Sequence, residues 1–190
     1  MSTPIQWIGS GGGPLLLLPV SLLPEWEGAN APAHGRAVQA KSRTGGPDAP
    51  ATDYDRACDI KGYLGVLTVG QGRGLVLGGE PFATAWWPGR AGKEGFLVRR
   101  EYGDDDLEAR ISEVLMAVPN DFGERQELSF LVPGGSLYLF DSAYPGRDVG
   151  TRTSYREVQL APGLYSLTSG SYRPDDRTSL LLHRCSLIDA

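Results

Sequence analysis

The chain has 190 residues, of which 41% are hydrophobic and 22% are charged. This length suits one domain with a sizeable core, and the composition excludes a generally disordered chain. The net charge of −5 argues against nucleic acid as a partner, because phosphate binding needs a basic face, and it leaves room for a basic protein partner.

The first apolar run lies in the stretch SGGGPLLLLPVSLLPEWEG, residues 10–28. A glycine turn followed by four leucines (residues 15–18) predicts a buried strand, and residues 20–26 predict a short turn or helix that places Trp26 against the core. Pro19 and Pro24 interrupt a run already shorter than the roughly 20 apolar residues of a membrane span. A secretory signal requires a positively charged region before its apolar core, but no Lys or Arg precedes this run. We therefore expect no membrane partner and a cytoplasmic protein.

Residues 28–52 are rich in Ala, Gly, Pro and Ser and show no hydrophobic period. This composition predicts a flexible insertion, which contains His34. The 27 residues before it are too few to form a domain alone. We therefore expect a single domain over residues 1–190 that carries a flexible insertion at about 28–52.

Short β-rich segments separated by Gly and Pro follow the insertion and predict a meander of four strands. Within them Trp86 and Trp87 are adjacent, so on a strand they face opposite sides, and one of them is free to anchor a partner. The four predicted strands are residues 63–69, 75–78, 82–87 and 96–102, with a turn at 70–74.

One helix is predicted, over about residues 104–118. An acidic start, Pro119 just past the end, and an apolar stripe that includes Leu107, Ile111 and Leu115 support it. Later segments predict a hairpin over 127–132 and 136–142, a strand pair within 155–172 around Pro162-Gly163, and a final strand over 179–188. The fold class is therefore α+β, mainly antiparallel β with one principal helix packed on the sheet.

Catalytic motifs are poorly represented. His183 falls on the same strand face as Cys185 and is predicted to be a buried or edge histidine. A nucleophilic pair of Cys58 and His183 is disfavoured, because Asp53 and Asp55 near Cys58 raise a thiol pKa. No Cys or His spacing suits a metal, no glycine loop suits a nucleotide, and two distant cysteines indicate reduced thiols. We expect no metal and no cofactor.

Five sequence blocks, in order, resemble the immunity protein 21 family of bacterial polymorphic toxin systems. They are WIGSGGGPLLLLPVSLLPEWEG, DYDRAC, YLGVLTVGQGRGLVLGGEP, LYLFDSAYPG and RPDDRTSLLLHR, and they span nearly the whole chain apart from residues 28–52. The resemblance implies a protein without enzymatic activity that binds a cognate toxin domain in the cytoplasm of the producing cell and blocks it. It implies nothing about oligomeric state.

The polar members of these blocks, together with one tryptophan, are the candidate partner-binding residues. Their alternative role is an internal Asp–Arg network that holds loops together. The candidates are Asp53, Tyr54, Asp55, Arg56, Trp87, Asp141, Tyr144, Asp175, Asp176 and Arg177.

Two other functions stay open at this point. A small carbohydrate-active or other hydrolytic enzyme would use paired aspartates in a pocket, with at least one raised carboxyl pKa. A ligand-binding module would instead have a pocket lined by Trp86 or Trp87 without acid or base groups.

Overall fold

The computed structural model describes residues 5–30, 38–89 and 92–188. In this part of the chain ten strands form two five-stranded sheets, and all named strand pairs are antiparallel. The first sheet, in spatial order, contains β2 (Leu64–Val69), β3 (Gly72–Leu77), β1 (Leu15–Pro19), β7 (Ser136–Asp141) and β8 (Tyr155–Gln159). The second contains β4 (Ala83–Pro88), β5 (Glu94–Tyr102), β10 (Thr178–Leu187), β9 (Gly163–Asp175) and β6 (Glu124–Val132). The predicted α+β class, mainly antiparallel β, is confirmed.

Helices occupy the outer sides of the two sheets. Helix α1 (Asp53–Cys58) and a 3-10 helix (Val20–Glu25) lie on the first sheet. Helix α2 (Leu107–Met116) is the predicted principal helix, and its buried stripe includes the expected Leu107, Ile111 and Leu115. Among the described residues, no helix is both long enough and apolar enough to cross a membrane.

Strand β1 contains four consecutive leucines because both of its faces are buried. Leu15 and Leu17 pack between the two sheets, whereas Leu16 and Leu18 face outward beneath Trp26 and α1. The sequence of a strand buried on both faces is continuously apolar, whereas a strand buried on one face alternates between apolar and polar residues. The predicted buried strand and the predicted burial of Trp26 are both confirmed.

The chain therefore folds into four layers: α1 with its flanking loops, the first sheet, the second sheet, and α2. Trp86 contributes to the core between the sheets, while Trp87 faces α2 on the outer side, as their adjacency predicts. Helix α2 covers the outer side of β4, β5 and β10.

The predicted four-strand meander is wrong. Strands β2 and β3 form a hairpin in the first sheet, with Gly70 at φ +54° in its turn, and β4 and β5 form a hairpin in the second. Strand β3 also starts earlier than predicted, at Gly72. The second side of β3 is occupied by β1, through pairs such as Leu16 with Val76, so β4 cannot continue the same sheet.

Two further predicted strand pairs are wrong for the same reason. Strand β6 pairs with β9, and β7 is already flanked by β1 and β8, so residues 127–142 cross between sheets instead of forming a hairpin. Strand β8 pairs with β7, and β9 is flanked by β6 and β10. In both cases the short Gly- and Pro-containing connection spans the gap of about 10 Å between packed sheets.

Candidate functional site

Four segments that are distant in sequence meet at one end of the first sheet. They are the glycine turn at residues 9–14, residues 26–28, helix α1 and residues 141–146, which together we call the motif cluster. Backbone hydrogen bonds join them: the Tyr54 amide donates to the Gly28 carbonyl at 2.9 Å, and the Gly146 amide donates to the Trp26 carbonyl at 2.8 Å. Six of the ten candidate residues lie here.

Helix α1 begins with a reciprocal capping arrangement. The Thr52 hydroxyl accepts from the Asp55 amide at 3.1 Å, and the Asp55 carboxylate accepts from the Thr52 amide at 2.8 Å. The other oxygen of Asp55 accepts from the Thr44 amide, also at 2.8 Å. Burial raises the pKa of Asp55, but the hydrogen bonds from Thr52 and Thr44 outweigh it and hold the pKa below its usual value. Asp55 is therefore an ionised capping residue, and both of its carboxylate oxygens accept hydrogen bonds within the protein.

The sequence analysis did not predict α1, although its signal was present. A Thr followed three residues later by an acidic residue is a variant of the capping box that marks helix starts. Part of the predicted insertion is fastened to this helix: the Ser42 amide and hydroxyl donate to the Asp59 carboxylate at 2.9 and 2.8 Å. Residues 31–37 of that insertion, with His34, lie outside the described residues.

Asp53 occupies an interior position, with 0% of its surface exposed. Its carboxylate accepts from the Glu27 amide at 3.1 Å and from the Arg56 guanidinium at 2.9 Å. Arg56 also donates to the Thr68 carbonyl of β2 at 2.6 Å. This pair therefore ties α1 to the first sheet and to the segment after the 3-10 helix.

Asp141 ends β7 and is 5% exposed. Its two oxygens accept from the backbone amides of Gly11 at 2.9 Å and Ala143 at 3.0 Å. The hydroxyl of the next residue, Ser142, donates to the Pro14 carbonyl at 2.6 Å. The backbone carbonyl of Ser142 accepts from the indole N–H of Trp26 at 3.0 Å. Asp141 and Ser142 thus join the glycine turn to the end of β7.

Tyr54 and Cys58 line a small cavity of about 160 Å³ beside the glycine turn. A Cβ at Gly13 would lie 2.1 Å from the Tyr54 hydroxyl, so any other residue there would displace the Tyr54 ring. Burial, the hydrogen bond with Cys58 and the carboxylates of Asp141 and Asp55 raise the pKa of Tyr54 to about 12. The Cys58 thiol is exposed, yet burial and these carboxylates raise its pKa, against a smaller lowering effect of Tyr54. Neither group is ionised at neutral pH.

Tyr144 is the solvent-facing member of the motif cluster. Its amide donates to the Asp141 carbonyl at 3.1 Å, which completes the turn, while its side chain stays exposed. Close beside it, a Cβ at Gly28 would lie 2.4 Å from the Ala143 carbonyl oxygen. The backbones of Gly28 and Ala143 therefore pass close to each other, and this contact holds the loop that carries Tyr144.

The remaining candidates lie on the opposite, outer side of the second sheet. Asp175, Asp176 and Arg177 form the turn between β9 and β10, next to the start of α2: Arg110 pairs with Asp175 at 2.6 Å, and Arg177 with Asp104 at 2.8 Å. The hydrogen bond from Arg110 is the main reason that the pKa of Asp175 is lowered. Trp87 lies near the other end of α2, in a groove lined also by Phe96 and Met116. The ten candidates therefore do not form one site.

His183 and Cys58 are not paired. His183 is buried on the inner face of β10, with Nδ1 2.8 Å from the Ser169 hydroxyl, whereas Cys58 forms a hydrogen bond with Tyr54. Burial and the nearby Arg99 lower the pKa of His183 to about 3, so the ring is neutral. Burial raises the pKa of Cys185, two residues further on, to about 12. The prediction of a buried histidine is confirmed.

Arg99 was missed by the sequence analysis. Its side chain is 1% exposed and donates to the Gly78 carbonyl at 2.7 Å and to the Glu80 carbonyl. Burial lowers its pKa to about 10. The one available signal was strand alternation, which places Arg99 on the same inner face as the buried Leu97. Arg99 holds the crossover that carries the chain from β3 to β4.

The chemistry available at the motif cluster is hydrogen bonding within the protein. Each of its three buried aspartates has its oxygens directed at backbone amides or Arg56, and the shifted aspartates Asp55, Asp59 and Asp175 all have lowered pKa values. Within the described part of the chain, no group of three or more His, Cys, Asp or Glu side chains could hold a metal ion.

Comparison with known protein families places the chain in one of them. The model of the immunity protein 21 family matches residues 6–178, which include all four segments of the motif cluster and the turn before β10. No curated protein and no solved structure matches the chain.

Proposed function

The chain belongs to the immunity protein 21 family, and we propose that it binds a cognate bacterial toxin domain and blocks it by covering its working surface. The protein performs no catalysis in this proposal. Its partner is a protein, met in the cytoplasm of the cell that produces both, rather than a nucleic acid or a membrane.

The observation that carries the proposal is how the buried aspartates of the family-matched region are used. Asp53, Asp55 and Asp141 are 0%, 1% and 5% exposed, and backbone amides or Arg56 occupy their oxygens. Carboxylates in this situation fix loops and do not act on a substrate. A rigid body with a set shape is what inhibition by occlusion requires.

The alternative of a hydrolytic enzyme with paired aspartates has less support. A general acid needs a raised carboxyl pKa, and the described aspartates with a shifted pKa are shifted downward. The cavity beside Asp141 measures about 160 Å³, well below the 300 Å³ or more of ordinary ligand sites. A ligand-binding module is disfavoured at this cavity for the same reason of size. The groove lined by Trp87 is larger, about 650 Å³, but Glu94 places a carboxylate in its lining, so it does not match the expected pocket without acid or base groups.

The ten candidate residues divide into two roles under this proposal. The buried ones, Asp53, Asp55 and Asp141, shape the loops and act on the toxin only through that shape. The exposed ones, among them Tyr144, Asp176 and Arg177, are able to touch a partner directly.

Co-expression with the cognate toxin domain tests the proposal. We expect growth to be restored when this protein is present, and to stay inhibited when an unrelated soluble protein replaces it. Parallel cultures with a catalytically inactive toxin show that growth inhibition comes from the activity of the toxin and not from the expression of either protein. Persistent growth inhibition with the protein abundant and folded would refute the proposed function.

A further inference from the structure

The outer side of the second sheet is only partly covered by the described residues. Helix α2 packs over β4, β5 and β10, and within the described ranges no helix packs on the outer side of β6 or of the β9 end that carries Leu164. There the outward side chains Leu131 and Leu164 face each other across the β6–β9 pair, and Ile188 lies next to them, its amide donating to the Leu164 carbonyl. All three are exposed.

A groove lies on the same outer side of the second sheet, at the end of α2. It has a volume of about 650 Å³ and is lined by Trp87, Phe96, Leu115, Met116, Val118 and Arg184, among others. The Met116 side chain on its rim is 77% exposed, the largest value among the exposed apolar residues of the described chain. We call the groove and the β6–β9 part of the second sheet together the open outer face.

Arg184 makes the groove a preformed feature. Its guanidinium donates to the carbonyls of Pro119 and Asn120 at 2.7 and 2.8 Å and lies 5.0 Å from the Phe96 ring centre. These contacts hold the segment after α2, which lines the groove through Val118 and Asn120, against β10. A partner that fills it loses little free energy to reorganisation of this wall.

The segment that carries α2 and leads into β6 is strongly acidic. Residues 101–128, which include α2 and the start of β6, contain nine carboxylates and two arginines, a net charge of −7. The rest of the chain contains 14 carboxylates and 16 Lys or Arg residues, so it is slightly basic. Among the described residues, several exposed carboxylates of this segment form no ion pair: Asp105, Glu108, Glu113, Asp121, Glu124 and Glu127.

We propose that the open outer face is the surface on which the toxin domain docks, with an apolar toxin side chain in the groove and a basic toxin surface against these carboxylates. The inference rests on the proposed function and adds to it the docking face and the character of the partner. Exposed apolar area next to a groove supplies affinity when it is buried in a complex. A surface with charges of one sign raises the association rate with a partner of opposite charge.

Binding measurements on the purified toxin domain, made inactive by substitution in its own active site, test this face. The charge variant is Glu113→Lys/Asp121→Lys, beside the groove. Its matched control is Asp48→Lys/Glu80→Lys, which replaces two exposed carboxylates elsewhere and changes the net charge by the same amount. At low salt we expect the association rate to fall about tenfold for the charge variant and less than twofold for the control, with the difference shrinking at high salt.

A second variant tests the apolar part without changing charge. Met116→Ser/Leu164→Ser removes two exposed side chains, so folding should be unaffected, and we expect the Kd to rise about tenfold through faster dissociation. If wild-type protein binds the toxin but both variants bind like the control, this docking face is wrong while the proposed function stands. If wild-type protein does not bind, the proposed function and this inference both fail.

Discussion

The carboxylate of Asp141 accepts a hydrogen bond from the backbone amide of Gly11 at 2.9 Å, across a separation of 130 residues. Its other oxygen accepts from the Ala143 amide, so one side chain closes the turn after β7 and holds the glycine turn before β1. Two family-matched segments thus depend on one buried carboxylate for their relative placement.

We expect Asp141→Ala to destabilise the protein by about 1–3 kcal/mol, because the backbone amides of Gly11 and Ala143 lose a charged acceptor. Urea unfolding followed by circular dichroism measures the change. Asp176→Ala, at an exposed position, is the matched control and should change stability by less than about 0.5 kcal/mol. Equal effects of the two substitutions would contradict a structural role for Asp141.

The double substitution Asp53→Asn/Asp55→Asn separates a structural role from a contact role in α1. We expect a loss of about 2–4 kcal/mol, since the capping arrangement with Thr52 and the ion pair with Arg56 are both broken. Thermal unfolding and toxin binding should be measured on the same sample. Unchanged unfolding with lost binding would instead assign these carboxylates to the interface.

Two glycine substitutions with the same chemistry should differ sharply. A Cβ at Gly146 would lie 2.0 Å from the Leu23 carbonyl oxygen, a backbone atom that cannot rotate away, whereas nothing lies within 4 Å at Gly9. We expect Gly146→Ala to cost about 3 kcal/mol or more, or to prevent folding, and Gly9→Ala to be neutral or slightly stabilising. Soluble yield and urea unfolding of the two variants provide the comparison.

Stability should depend on pH through His183. Its pKa is about 3 in the folded protein and near 6.5 when unfolded, so between these values the unfolded chain binds the extra proton. This contribution is complete above pH 6.5 and is lost as the pH falls, by about 2 kcal/mol at pH 5. The difference in unfolding free energy between wild type and His183→Gln, measured from pH 7 to pH 5, should shrink by about that amount. A constant difference would show that His183 does not carry this dependence.

The two thiols should react at very different rates. Cys58 is exposed and Cys185 is buried, so native protein should take up one equivalent of a thiol-specific reagent, and unfolded protein two. Because the pKa of Cys58 is raised, labelling at pH 7 should be slower than for a free thiol and should speed up toward pH 9. Cys58→Ser should abolish native labelling. Fast labelling of this variant would mean that Cys185 is accessible.

The sequence alone determined most of the elements and their buried sides. The four leucines of β1, the apolar stripe of α2 and the opposite orientations of Trp86 and Trp87 all follow from periodicities of 2 and 3.6 residues, which are local properties of the chain. The order of five sequence blocks also indicated the family. The capping pair Thr52 and Asp55 was equally local, and α1 could have been predicted from it.

The pairing of the strands and the roles of the aspartates depend on the three-dimensional arrangement of the chain. Residues 127–132 and 136–142 read as a hairpin, yet β6 and β7 join different sheets, because both sides of β7 are taken by strands from distant parts of the chain. Asp141 and Asp176 look alike in sequence, but one is buried against the Gly11 amide and the other is exposed. Pairing and burial depend on contacts between residues far apart in sequence, and a local pattern carries no information about which distant segment supplies them.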